Sequence, residues 1–180
     1  MILLMGIAGS GKGTQSKLLA ENDGFNVIST GDLLRTYGSE DQHRRMMKGE
    51  ILGDQEVTAL LEKALDKTSD QDNVILDGYP RRISQAEWLL DQAHKGRFEL
   101  TSVIHLKATK EAVLKRLQER GRLDDHDDGI ERRFSEFEQD TVPILNYFIR
   151  AGIKVSEINA EESVDAVHEQ IVHLLKDSII

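Results

Sequence analysis

The residues best suited to chemistry stand at the start of the chain. Gly6-Ile-Ala-Gly-Ser-Gly-Lys-Gly-Thr-Gln follows the apolar run 1–5 and leads into helix-forming sequence. Its spacing (Gly6, four residues, then Gly11 and Lys12) is close to the phosphate-loop signature. Glycines let a backbone bend around an anion with its N–H groups pointing inward. A helix N-terminus adds about half a positive charge, and Lys12 supplies a full one. Gly9, Ser10, Gly11, Lys12, Gly13 and Thr14 are therefore candidate phosphate-binding residues. Gly13 stands where most such loops carry the Ser or Thr that ligates magnesium, and Thr14 follows one place later. Any magnesium here is expected to be held mainly by substrate oxygens and waters.

A second group lies farther along. Asp77-Gly-Tyr-Pro-Arg-Arg follows the apolar run 74–76, with Gln85 just beyond. In phosphate-loop proteins a carboxylate in this place organises magnesium and its waters; taken in isolation, it would as readily cap a turn before Gly78. Arg81 follows Pro80, whose ring stiffens the local backbone, whereas Arg82 reads equally well as a solvated surface charge. Phosphoryl transfer needs alignment and compensation of negative charge more than covalent help. Arg116 and Arg120 lie four residues apart on one helix and face the same way. Arg122 follows at once, and Arg133 is expected about three turns into the next helix. Guanidinium groups bridge two phosphate oxygens in a fixed fork, which lysine does not. Any one of these arginines alone reads as a surface salt bridge; the set reads as functional. The acidic run Asp124, Asp125, Asp127 and Asp128 suits a helix start, where carboxylates meet the positive end of the dipole. His43, His105 and His126 lack ligand spacing, and Trp88 reads as packing.

The elements that must position these groups follow from the apolar pattern. Runs 1–5, 26–28, 74–76, 102–106 and 153–157 are short and mostly separated by helix-like sequence. They predict an α/β fold with a doubly wound, five-stranded parallel sheet and helices on both faces. In such sheets ligands sit at the carboxyl ends of the strands, where the motifs fall. Val164, Val167, Ile171, Leu174 and Leu175 mark a last amphipathic helix, with Ser163 as its N-cap. The polar segment 30–54 fits no strand and reads as a helical flap over the site. A net charge of −9 argues against a nonspecific nucleic-acid binder, so an anionic substrate needs a local basic cluster. The chain has no Cys, which excludes disulfides and Cys-ligated zinc. The first apolar run is too short to span a membrane, and no basic stretch precedes it. A cytoplasmic protein without membrane or nucleic-acid partners is expected.

From residue 1 to about 175 the chain resembles adenylate kinases. The resemblance is carried by residues 6–15, 29–35, 76–81 with Gln85, and Arg122-Leu-Asp-Asp with Arg133. It implies a monomeric phosphotransferase of the P-loop NTPase type that converts Mg·ATP and AMP into two ADP, with Mg2+ bound alongside ATP and no zinc. It implies that Thr30 and Gln85 face the adenine of AMP while Arg35 and Arg81 bind its phosphate. Glu50, Ile51, Leu52 and Gly78 would line the same pocket. Arg116 and Arg120 would approach ATP, beside the loop from Gly9 to Thr14. Arg122 and Arg133 would meet the transferring phosphoryl group. Lys12, Arg81, Arg120, Arg122 and Arg133 are thus the expected catalytic set. Asp77 would hold magnesium through water, and Asp124 or Asp125 would assist in the same way.

Three departures mark this sequence. Ala8 stands where the family's loop usually has proline. The AMP-binding flap, residues 29–54, is several residues shorter than usual. Arg120-Gly-Arg leaves almost nothing between two helices, so residues 120–125 form a minimal lid. The whole chain, 1–180, then reads as a single nucleoside monophosphate kinase domain. Two other readings stay open from the residues alone: a kinase acting on UMP or CMP, and a nucleotide-binding module that has lost turnover. Thr30 and Gln85 favour AMP. The presence of Lys12, Asp77, Arg81, Arg122 and Arg133 together favours turnover.

Overall fold

The computed structural model describes residues 1–48, 52–71, 73–121, 131, 134–135 and 137–176. Among these residues five strands form one sheet: β1 (Ile2–Met5), β2 (Asn26–Ser29), β3 (Val74–Asp77), β4 (Ser102–Lys107) and β5 (Lys154–Asn159). All pairings are parallel, in the order β2-β3-β1-β4-β5. The helices described are α1 (Lys12–Asp23), α2 (Thr30–Tyr37), α3 (Glu40–Met47), α4 (Asp54–Leu65), α5 (Ile83–His94), α6 (Lys110–Arg120), α7 (Val142–Arg150) and α8 (Val164–Lys176). A π-helical turn at Phe137–Thr141 leads into α7. None of the described helices is long and apolar enough to cross a membrane.

The inner strands read as continuous apolar runs because both of their faces are buried. Successive side chains alternate between faces. Leu3 and Met5, with Leu76 and Val103, pack beneath Leu61 and Leu65 of α4, Leu89 of α5 and Phe148 of α7. Ile2 and Leu4, with Ile75 and Ile104, pack beneath Leu19 of α1 and Val167 and Ile171 of α8. The last strand starts at Lys154 and extends to Asn159, farther than its apolar pattern indicates. It lies at the sheet edge and pairs with β4 along its whole length, from Ser102↔Lys154 to Lys107↔Asn159. Main-chain pairing carries its polar residues, while Ile158 near its end packs into the core with Val167 and Ile171.

Side chains fix the helix starts. Ser29 Oγ accepts from Asp32 N at 3.3 Å, and Thr109 Oγ1 accepts from Ala112 N at 3.3 Å. Ser163 Oγ accepts from Ala166 N at 3.2 Å, the cap expected for α8. Such caps are typically worth about 1 kcal/mol each. Glu56 ties α3 to the start of α4: its carboxylate accepts from Gln42 Nε2 at 3.1 Å, Gly53 N at 2.9 Å and Arg45 Nη1 at 3.2 Å. The hydrogen bond from Gln42, then that from Gly53, hold this carboxyl below its ordinary range.

β1 leads into α1 on one face, and its neighbour β3 leads into α5 on the other. Their loops part at the carboxyl edge of the sheet, which opens a crevice between them.

Candidate active site

A cleft of about 910 Å3 fills that crevice. Its floor is the loop between β1 and α1. Gly6 has φ 147, and a Cβ there would lie 2.6 Å from the Leu106 carbonyl oxygen and 2.7 Å from Ser10 Oγ, so only glycine lets the loop pass this close to β4. Gly11, with φ 98, turns the chain into α1. Ile7 anchors the loop on Val113 and Leu117 of α6, where Phe134 and Phe137 also pack. Lys12 Nζ donates to the carbonyls of Gly6 at 2.7 Å and Ile7 at 2.9 Å, holding its ammonium across the loop's mouth. Gly9, Ser10, Gly11, Gly13 and Thr14 all line the cleft with it. The side-chain oxygen of Ser10 is buried and lacks a hydrogen-bond partner among the described residues.

Asp77 ends β3 directly beside Leu4 of β1, within the field of Lys12. It is 8% exposed, and its Oδ1 has no hydrogen-bond partner among the described residues. Burial raises its pKa, with Lys12 and Arg81 opposing that shift and Asp32 adding to it. A buried carboxylate with an unused lone pair beside a phosphate loop suits a hard cation and its waters. The residues present therefore fit magnesium held through water.

Across the cleft, Thr30 begins α2 and donates its hydroxyl to the Gly78 carbonyl at 2.9 Å. Arg81 Nε donates to the same carbonyl at 3.1 Å. Arg35 reaches back to Asp32, with Nε 3.2 Å from Oδ1. Gln85 and Leu52 are buried and line this end. Gln85 accepts from Arg81 N at 2.7 Å and donates to Asp54 Oδ1 at 3.0 Å. Arg82 points to Asp54 as well, with Nη1 3.7 Å from Oδ1, so it is an ion-pair partner instead of a free surface charge. Trp88 meets the ring of Tyr79 edge-on at 6.3 Å, which bears out its packing role.

At the other end, Arg116 lines the cleft while Nη2 donates to the Ala160 carbonyl at 2.7 Å. Glu50, Ile51, Arg122, Asp124, Asp125 and Arg133 lie outside the described residues, as does the side chain of Arg120. The structure thus brings Lys12, Asp77, Thr30, Arg35, Leu52, Gly78, Arg81, Gln85 and Arg116 to one cleft.

The sequence of residues 4–153 matches the model of the family described as "Adenylate kinase". The chain belongs to the adenylate kinase family. A Synechococcus adenylate kinase is 33% identical over 97% of each chain. Adenylate kinase 1 of a Nostoc is 34% identical over 99% of this chain and 97% of its own. The adenylate kinase of Hyphomonas neptunium is 36% identical over 98% of each. Membership of the adenylate kinase family makes the chain a nucleotide-binding phosphotransferase.

Sequence reasoning missed three features in or beside this adenylate kinase-type cleft. Asp54, the last residue of the segment read as a flap, opens α4 and holds Gln85. Phe137, at the π-helical turn before α7, walls the cleft. His105 is 6% exposed, with Nδ1 3.3 Å from Glu157 Oε1 and its ring stacked on Phe137 at 5.7 Å. The only sequence signal for it is a histidine inside an apolar strand.

Proposed function

We propose that this protein transfers the terminal phosphoryl group of Mg·ATP to AMP, yielding two ADP. One observation carries the reading: the phosphate loop with Lys12 and the group formed by Thr30, Arg35, Arg81 and Gln85 line the same cleft, with Asp77 at the end of β3, the strand between β1 and β2 in the sheet. Such a cleft suits two anionic ligands held end to end.

In this reading the N–H groups from Gly9 to Thr14 cradle the donor's phosphates and the Lys12 ammonium leaves its carbonyls to meet them. Arg116 and Arg120 flank ATP. Arg35 and Arg81 hold the phosphate of AMP, with Glu50, Ile51, Leu52 and Gly78 forming the walls around its base. The Thr30 hydroxyl, already donating to Gly78, presents only its acceptor lone pair to a ligand. Arg81, Arg120, Arg122 and Arg133 compensate charge on the transferring group. Asp77, and Asp124 in a lesser part, accept hydrogen bonds from waters around Mg2+. Bound with ATP, such an ion would supply charge compensation at the phosphate oxygens. Residues 29–54 act as the AMP-binding flap and 120–125 as a minimal lid on one domain spanning 1–180. The proposal extends to a cytoplasmic monomer.

The test is ADP formation from Mg·ATP with AMP, UMP, CMP or GMP supplied separately, each against a no-acceptor control. Turnover with AMP well above the others is expected. Turnover confined to a pyrimidine nucleotide, or tight nucleotide binding without any turnover, would overturn the proposal.

A further inference from the structure

Asp54 opens α4 with its carboxylate toward the start of α5. Oδ1 accepts from Gln85 Nε2 at 3.0 Å, Oδ2 accepts the hydroxyl of Ser84, and Arg82 Nη1 lies 3.7 Å from Oδ1. Gln85 is 2% exposed, and its Oε1 takes the main-chain N–H of Arg81 at 2.7 Å. A carboxylate only accepts, and a main-chain N–H only donates. Two partners of opposite kind therefore dictate which end of the Gln85 carboxamide is oxygen and which is nitrogen. Without them, the terminal torsion of glutamine is broad and roughly two-fold.

We infer that Asp54 is a positioning residue that sets acceptor-base specificity by holding the Gln85 carboxamide in one orientation. The inference rests on the proposal that Gln85 faces the acceptor's base. After its two protein contacts, the amide retains one N–H and one lone pair for a ligand. A 6-aminopurine offers an N–H at position 6 beside an acceptor at N1. A 6-oxopurine offers the reverse, an acceptor at position 6 beside an N–H at N1. An amide fixed in one orientation matches only one of these orders. An amide free to turn over matches both. The group that discriminates is Gln85, and the group that makes it discriminate is Asp54.

A contact that merely joined α4 to α5 would alter stability and lower the use of both purines together. The decisive readout is therefore the ratio of kcat/KM for AMP to that for IMP, with Mg·ATP as donor. It is measured in the unmodified protein and in Asp54→Ala, Asp54→Asn and Gln85→Leu, alongside their thermal midpoints. Asp54→Ala is expected to reduce the ratio ~10- to 100-fold, the discrimination typical of one two-point base contact. Asp54→Asn keeps an oxygen that accepts from Nε2 and is expected to keep most of the ratio. If Asp54→Ala fails to fold, Asp54→Ser is read in its place, since it leaves a polar group at the start of α4 but is too short to reach Nε2. An unchanged ratio in Asp54→Ala or Asp54→Ser, with Gln85→Leu collapsing it, overturns the inference and leaves the proposed role of Gln85 standing. An unchanged ratio in Gln85→Leu overturns both. Equal use of AMP and IMP by the unmodified protein overturns the inference while leaving phosphoryl transfer to AMP intact.

Discussion

The guanidinium of Arg116 donates to the main-chain carbonyl of Ala160 at 2.7 Å, which joins α6 to the turn after β5. Both residues line the cleft. An arginine proposed to meet ATP is thus also a brace for the wall of the cleft, with four further N–H donors on its guanidinium.

Truncating that side chain should therefore act on the donor alone. Arg116→Ala is expected to raise KM for ATP about tenfold, the scale of one lost hydrogen bond from a charged group. KM for AMP should stay within about twofold by the same scale. Arg116→Lys should recover little, since an ammonium does not reproduce the planar fork. Steady-state kinetics varying each nucleotide at saturating concentrations of the other provide the check. Equal effects on both would place Arg116 outside the donor site.

Arg81 sits where its side chain touches the Gly78 carbonyl and its main chain touches Gln85. Arg81→Ala is expected to lower turnover about 10³-fold, roughly 4 kcal/mol of transition-state stabilisation. The main-chain contact to Gln85 survives the substitution, so the thermal midpoint should hardly move. A loss of less than about tenfold would remove Arg81 from the chemistry.

His105 gives a pH dependence of stability. Burial holds its pKa below the ordinary 6.5; Glu157 at 3.3 Å opposes that shift, while Lys107 and Lys12 reinforce it. A lowered folded-state pKa means that the unfolded chain binds the proton more tightly. The contribution is fully present above pH 6.5 and is lost as pH falls toward and through the folded value. His105→Gln removes this titration. The thermal midpoint of the unmodified protein should exceed that of His105→Gln most at neutral pH, with the gap narrowing under mild acid. A gap that widens with acidification would show that Glu157 outweighs burial.

In the proposed reading residues 120–125 form a minimal lid. α6 ends at Gly121, in the left-handed region at φ 62, and Lys110 at the start of α6 meets Glu131 at 2.6 Å. Lids exclude water from transferring phosphoryl groups, and a minimal lid should exclude it poorly. Measurable phosphate release from ATP without AMP is expected, together with use of other purine triphosphates as donors. Negligible hydrolysis combined with strict use of ATP would overturn the reading of 120–125 as a lid that shields incompletely.

Much of this molecule is legible along the chain because the relevant signals are local. A strand buried on both faces must be apolar throughout, so 1–5, 74–76 and 102–106 announce themselves. A loop that wraps an anion needs glycine at fixed places, and Gly6, Gly11 and Lys12 supply that pattern within seven residues. Weaker signals mislead where polar residues are buried or apolar ones serve two ends. Helix α1 buries Gln15 and Ser16 with Leu19, so its inward face does not appear as an apolar stripe. β5 carries the polar residues Ser156, Glu157 and Asn159, which pair with β4, around a single buried apolar residue near its end, Ile158.

Spacing and polarity along the chain directly encode the parallel sheet, the phosphate loop and most residues of the cleft. Only the tertiary structure decided which groups constrain one another. Asp54 and Gln85 stand 31 residues apart, Arg116 and Ala160 44, and His105 and Glu157 52. Hydrogen bonds form over about 3 Å and depend on direction, so neither partner carries a trace of the other until strand pairing and helix packing bring them together.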